Sequence, residues 1–303
     1  MLTNKALWTI ERNLDRSLTL GDLAAACSVS PFHLAHAFGE ATGLSVMQYV
    51  RGRRLAQAAQ SLASGNAPDI LNLALDAGYG SHEAFSRAFR AQFGTTPEMV
   101  RKNKTVENLV MIRPMKVPET TGFTLPPPRF IASPPMLVVG ITERHSFGAT
   151  EGIPGQWQRF MKHYDDIPDK AQPIPLGVSD NMDEDGNFEY MTAVEVAKVS
   201  DLPKGLSQLR IPAQQYAVFR HSGHVSTLGE TYSAIWNDWL PAQDRKAVNA
   251  PCLERHLETF DTRTGLGGVD VWIPLENAAQ TPCRASVTRA AMASRTPATH
   301  RAR

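Results

Sequence analysis

The side chains best equipped for recognition chemistry fall in two short sets, His82, Glu83, Ser86, Arg87 and Arg90 in one, and Phe32, His33, Ala35, His36 and Gly39 in the other. At spacings of three and four residues, the members of each set share one face of a helix. A guanidinium at Arg87 can grip guanine O6 and N7 or a phosphate, and a carboxylate at Glu83 can accept from a cytosine amino group. His82 and Ser86 add donors and acceptors beside them. The other set is poorer. Ala35 and Gly39 offer no hydrogen bond, so base readout there rests on His36 and on packing of Phe32 against thymine methyls or sugar, with His33 on the same face. Arg51, Arg53, Arg54, Arg90, Arg101 and Lys102 are expected to clamp phosphates, which fixes register without reading sequence. His33 and His36, three apart, could suggest a metal, but no third ligand is in reach along the chain. The three cysteines, Cys27, Cys252 and Cys283, lie far apart with no CxxC pair and are expected to be buried or idle thiols. Gly265, Gly267 and Gly268 read as a hairpin loop, since no βαβ context surrounds them. No metal, cofactor or catalytic group is expected.

The elements that would present these faces repeat. Sliding the sequence by 51 positions lays Ser30 on Ser81, Leu34 on Phe85, Phe38 on Phe89, Gly43 on Gly94 and Ser45 on Thr96. Each copy reads as a short helix, a tight turn, and a second helix begun by a serine cap and closed by a glycine. In the first copy Thr19 precedes Asp22 by three, a capping-box spacing, so helices are predicted over 22–27 and 31–40, with Pro31 at the first helical position. In the second copy they are predicted over 69–77 and 82–93, and an amphipathic helix over 46–61 holds the units apart. Leu34, Ala37 and Phe38, and Phe85, Ala88 and Phe89, would face inward. This is the helix-turn-helix plan, twice.

Ala74, Gly78, Tyr79, Ser81, the run Phe85 to Arg90, Phe93, Gly94 and Pro97 stand at the spacing of a known signature. Over residues 5–104 the chain resembles AraC/XylS-type transcription regulators. The resemblance implies that the second helix of each unit enters adjacent major-groove segments on one face of double-stranded DNA, roughly 34 Å apart. It also allows RNA polymerase as a further partner.

From residue 136 the pattern changes from helical to alternating. Strands are predicted over 136–142, 174–179, 188–196, 206–211, 216–221, 252–260 and 269–274, with amphipathic helices over 156–166 and 226–240. Strand, helix, strand, strand thus occurs twice, which makes a duplicated α+β unit the simplest fold. Two such halves side by side leave a groove between their helices. Lined by Trp157, Tyr190, Tyr232 and Trp236 with few charges, it would hold a small amphipathic molecule.

Phe188, Glu189, Tyr190, Glu195 and Val196, the run Tyr216, Phe219, Ser222, Gly223 and Leu228, and the run from Leu253 through Phe260 to Trp272, Ile273 and Pro274 carry a second likeness. Residues 136–276 resemble the GyrI-like effector-binding domain found in multidrug-responsive regulators and behind the helix-turn-helix domain of Rob-type proteins. The resemblance implies a groove glutamate at Glu254 with an aromatic partner at Trp272. A carboxylate among aromatic rings would favour positively charged or amide-bearing ligands. The same family includes hydrolases of electrophilic small molecules, in which Glu254 would be the general base assisted by Tyr190 or Tyr232. His256, standing where the family often has tyrosine, counts against that chemistry. A ligand-free groove that docks a protein is the remaining alternative.

The 303 residues, 42% hydrophobic and 20% charged, suit two globular domains and no membrane span. The fold expected is an all-α domain with two helix-turn-helix units over 1–104, a Pro-rich linker over 105–135, the duplicated α+β domain over 136–276, and a disordered tail over 277–303. Residues 1–104 carry 11 Lys and Arg against 8 Asp and Glu, whereas residues 129–276 carry 13 against 20. A polyanion would therefore meet the front of the chain. Nothing at the N-terminus marks export, so a cytoplasmic compartment is expected.

Overall fold

A computed structural model of the protein describes residues 1–67, 69–118, 124–199 and 202–277. The predicted disordered tail and Cys283 lie outside the described residues, apart from Asn277. Cys27 and Cys252 are free and buried. None of the helices among the described residues is long and apolar enough to cross a membrane.

The front of the chain is helical, with α1 (Leu2–Glu11), α2 (Leu20–Cys27), α3 (Pro31–Thr42), α4 (Val46–Ser64), α5 (Ile70–Asp76), α6 (His82–Phe93) and α7 (Pro97–Asn103). The 51-residue repeat is a repeat of end-capping chemistry. Ser30 Oγ accepts from the His33 amide at 3.1 Å, and Ser81 Oγ from the Ala84 amide at 3.2 Å. Gly43 and Gly94 close α3 and α6 with φ of 70° and 68°, a left-handed conformation that glycine adopts without steric cost. Thr19 and Asp22 satisfy each other's backbone amides at the start of α2, as the capping-box spacing predicts.

Residues 129–275 build one eight-stranded antiparallel sheet from β1 (Arg129–Ser133), β2 (Met136–Ser146), β3 (Leu176–Asp180), β4 (Asn187–Val196), β5 (Ser207–Ile211), β6 (Gln214–His221), β7 (Cys252–His256) and β8 (Val269–Leu275). Their order is β1-β6-β8-β7-β3-β4-β2-β5. Two strand-helix-strand-strand halves, β2-β3-β4 and β6-β7-β8, meet at the β3–β7 pair, while β5, expected to open the second half, pairs with β2 of the first. Each half carries a helix. These are α8 (Ile153–Met161) and α9 (Leu228–Ala234), the latter continued by a wider π-helical turn over Ile235–Trp239. The outer strands cross over: β1 edges the second half and β5 the first. The prolines of the expected linker thus permit one edge strand, β1, between Pro128 and Pro134, which is where a strand tolerates flanking prolines.

The apolar cores do not follow the chain boundary. One cluster runs from Leu7, Phe38 and Val50 of the first helical unit through Ile235 and Trp236 to Phe219, Val271 and Ile273 of the sheet. The second helical unit has its own, built on Leu55, Leu62, Phe85, Phe89 and Val100. Between the two domains, residues 112–117 run along the first unit as a pinned strap. Asn4 exchanges two hydrogen bonds of 2.9 Å with the backbone of Val117, and Arg53 Nη1 donates to the Ile112 carbonyl at 3.1 Å. Gly52 is required there, since a Cβ would stand 2.3 Å from the Ile112 side chain.

Candidate ligand pocket and DNA-facing helices

Glu254 sits on β7 opposite Gly177 of β3 and Val271 of β8, and so points to the face that α8 and α9 cover. Both its oxygens are engaged. Tyr190 OH donates to Oε2 at 2.6 Å, Tyr232 OH donates to Oε1 at 2.9 Å, and Trp157 Nε1 donates to Tyr190 OH at 3.2 Å. Gly177 leaves room for this chain, because a Cβ there would lie 2.2 Å from Tyr190 OH. Burial raises the Glu254 pKa, and the two tyrosine hydroxyls offset this only in part. Beside it His256 is stacked between Trp157 and Phe260, with ring centroids at 4.7 and 4.0 Å, and burial pulls its pKa down to about 4.

These residues line a cavity of about 950 Å³ whose other walls are Phe147, Phe188 and Met161 of the second domain and Phe32, His36, Gly39 and Glu40 of α3. The described lining includes three carboxyl groups, Glu40, Asp180 and Glu254, and neither lysine nor arginine. His36 is also held neutral, its pKa lowered to about 4 by burial. Trp157, Tyr190, Tyr232 and Glu254, expected in the groove, do converge there. Trp272 does not. It pairs with Leu253 and Val218, one residue out of phase with Glu254, so it faces the opposite side of the sheet and packs on Tyr216 and Arg255. The side-chain period of two makes that one-residue offset decisive. Trp236 is fully buried behind His36, in the core shared by the domains.

The sequence did not reveal that α3 closes the pocket. His33 Nε2 donates to the Trp236 carbonyl at 2.6 Å, His36 stacks on the Trp236 ring at 4.5 Å, and Phe32 meets it edge-on at 5.7 Å. Asn237 accepts from Thr3 and donates to the Ala37 carbonyl at 2.9 Å. Gly39 lies so close to Phe147 that a Cβ would stand 2.2 Å from its ring. Gly39, which has nothing to offer a base edge, is small where Phe147 of the second domain docks, and that was the signal available. The expectation of an open face at Phe32, His33 and His36 is thereby corrected: in this arrangement they contact the second domain.

On α6 the face stays open. Glu83, Arg87 and Arg90 are exposed, while His82 and Ser86 are half-buried, with His82 Nε2 3.3 Å from Glu98 of α7. The expected phosphate clamps divide. Arg53 is buried, and its guanidinium forms a two-pronged pair with Glu11 at 2.7 and 2.9 Å, whose hydrogen bonds hold that carboxyl below its usual range against burial. Arg54 donates to the carbonyls of Leu14 and Arg16. Both pin the fold, which corrects their assignment. Arg51 pairs with Asp185 of the second domain. Lys102 is exposed, and Arg101 holds Nε and Nη2 buried without a hydrogen-bond partner among the described residues.

Comparison with known proteins gives a helix-turn-helix domain over residues 23–103 and a GyrI-like small molecule binding domain over residues 126–276. The transcriptional regulator Rob of Salmonella typhimurium is 25% identical over 271 residues, which cover 86% of this chain and 91% of Rob. The probable transcription factor PqrA of Proteus vulgaris is 35% identical over 107 residues, 35% of this chain and 87% of PqrA. A solved structure of SAV2435 bound to tetraphenylphosphonium shares 22% identity with a TM-score of 0.42, covering 49% of this chain and 93% of that one. The chain belongs to the AraC-type helix-turn-helix family of DNA-binding transcription regulators and, as a homologue of Rob, it carries a GyrI-like small-molecule-binding domain behind the DNA-binding one.

Proposed function

We propose that the pocket captures a small amphipathic cation on Glu254 and that this ligand governs how the first domain meets DNA. The observation that carries the reading is Glu254 itself, a half-buried carboxyl among aromatic rings in a cavity whose described lining has no lysine or arginine. An arriving cation supplies the counter-charge that the site lacks, and the rings of Trp157 and Phe188 cover its apolar part. The cavity volume, about 950 Å³, suits a small molecule better than a docking polypeptide. On DNA, the exposed Arg87 and Glu83 of α6 read base edges with His82 and Ser86 at their flank, while the exposed Arg90 and Lys102 hold phosphates. Phe32, His33 and His36 reach a second major-groove segment only when α3 leaves the second domain.

Titration with decyltrimethylammonium and with decanoate, which share a chain and differ in charge, tests the pocket through intrinsic tryptophan fluorescence. The cation is expected to bind and the anion not, with the preference lost in Glu254→Gln. Equal binding of both, or an unchanged preference in the variant, would refute the reading.

A further inference from the structure

Of the three described carboxyls that line the cavity, Glu254 and Asp180 come from the sheet and the third, Glu40, comes from the DNA-binding domain. Glu40 lies in the last turn of α3, lines the same cavity and has no hydrogen bond or ion pair among the described residues. Burial, and after it the like charge of Glu254, pushes its pKa up to about 8. The same cavity is lined by aromatic rings from both domains, Phe32 of α3 and Tyr232 of α9 among them. Tyr190 and Tyr232 hydrogen-bond Glu254, whereas no described side chain partners Glu40.

We propose that the pocket is built for a ligand with two cationic ends joined by an apolar middle, one end on Glu254 of the sheet and the other on Glu40 of α3, so that the bound molecule ties the first recognition helix to the second domain. The inference rests on the cation-binding reading above and narrows it. The contact with Glu40 exists only while α3 is docked. A two-ended ligand therefore binds the docked arrangement more tightly than the open one, and by linkage weakens every DNA contact that needs α3 free. The reverse holds to the same degree: DNA that captures α3 removes one of the two anchors and lowers affinity for the ligand by the same factor. A one-ended cation, resting on Glu254 alone, lacks this differential and is a poorer antagonist of DNA binding.

The full chain is titrated calorimetrically with bis-trimethylammonium alkanes of increasing length and with the mono-trimethylammonium alkanes of matching length. At one length the two-ended compound is expected to bind about tenfold more tightly, the yield of one further charge-assisted contact. Glu40→Gln should abolish that advantage, bringing the two-ended compound to the affinity of its one-ended counterpart. Glu254→Gln should weaken both. DNA affinity, measured with each compound present and corrected by the Glu254→Gln protein for direct cation screening of the duplex, should fall with the two-ended compound. Equal affinities of one- and two-ended compounds at all lengths, or an advantage that survives Glu40→Gln, would overturn the bridging while leaving cation capture standing. Tighter DNA binding with the two-ended compound would overturn the tether. Failure of both classes to bind the unaltered protein would overturn cation capture itself, and the bridge with it.

Discussion

Replacing Phe147 with alanine isolates the contact between the domains from any contact with DNA, because Phe147 belongs to the second domain and its ring lies over Gly39 of α3. The ring also meets His36 of α3 at 6.2 Å and Phe188 of its own domain at 5.6 Å. A phenylalanine buries roughly 150–250 Å², about half of it here against α3, and at roughly 25 cal/mol per Å² the loss is about 2 kcal/mol. Because Phe147 is only half-buried even when docked, this falls to about 1–2 kcal/mol, a shift of about 5- to 30-fold toward the open arrangement. If docking competes with DNA, affinity for duplexes selected by the protein itself should rise by up to that factor. Fluorescence anisotropy at fixed salt reads it, since salt alone moves such affinities by orders of magnitude. Gly39→Ala pushes the same equilibrium from the other side of the contact, at an overpacking cost of about 1–3 kcal/mol. Unchanged or weaker DNA binding by Phe147→Ala, with thermal stability retained, would refute the competition.

Arg87→Ala should cost about 1–3 kcal/mol of DNA affinity concentrated at particular bases, without moving the unfolding midpoint, as a base-by-base competition series would reveal. Arg53→Met leaves Glu11 without its two-pronged partner and the Ile112 carbonyl without a donor, so denaturant unfolding should show a loss of about 3 kcal/mol. Capture of a cation requires the ionised carboxylate, and burial raises the Glu254 pKa; affinity for a one-ended cation should therefore increase as pH rises through that raised value, and Glu254→Gln should flatten the profile. In the ligand-free protein the sign reverses. Glu40 ionises at 4.5 when exposed and at about 8 in the fold, so stability should decline as pH rises across that window, and less so in Glu40→Gln.

The helical front was legible because its signals are local. Ser30, Ser81, Gly43 and Gly94 each act on backbone atoms within four residues, and local chemistry is written in spacing. Glu254 was legible because its strand was, but Trp272 was misassigned, since a strand's faces alternate and register with a neighbour cannot be read from one strand alone. Arg53 and Arg54 were misassigned for a related reason: an arginine on a helix looks the same whether its partner is a phosphate or Glu11, which stands 42 residues away. The closing of the pocket by α3 depends on contacts between positions some two hundred apart, such as His33 with Trp236 and Ala37 with Asn237. Only the absence of polar reach at Gly39 hinted at it.

The exchange of outer strands has a consequence for any attempt to dissect the molecule. Because β1 precedes the first half yet borders the second, and β5 precedes the second half yet borders the first, each half depends on a segment encoded ahead of the other. Excising either would strip the remaining piece of its border and bare a row of unpaired amides and carbonyls, an invitation to aggregate. A gene fragment meant to report on sensing by itself must therefore start upstream of Arg129 and keep both repeats intact.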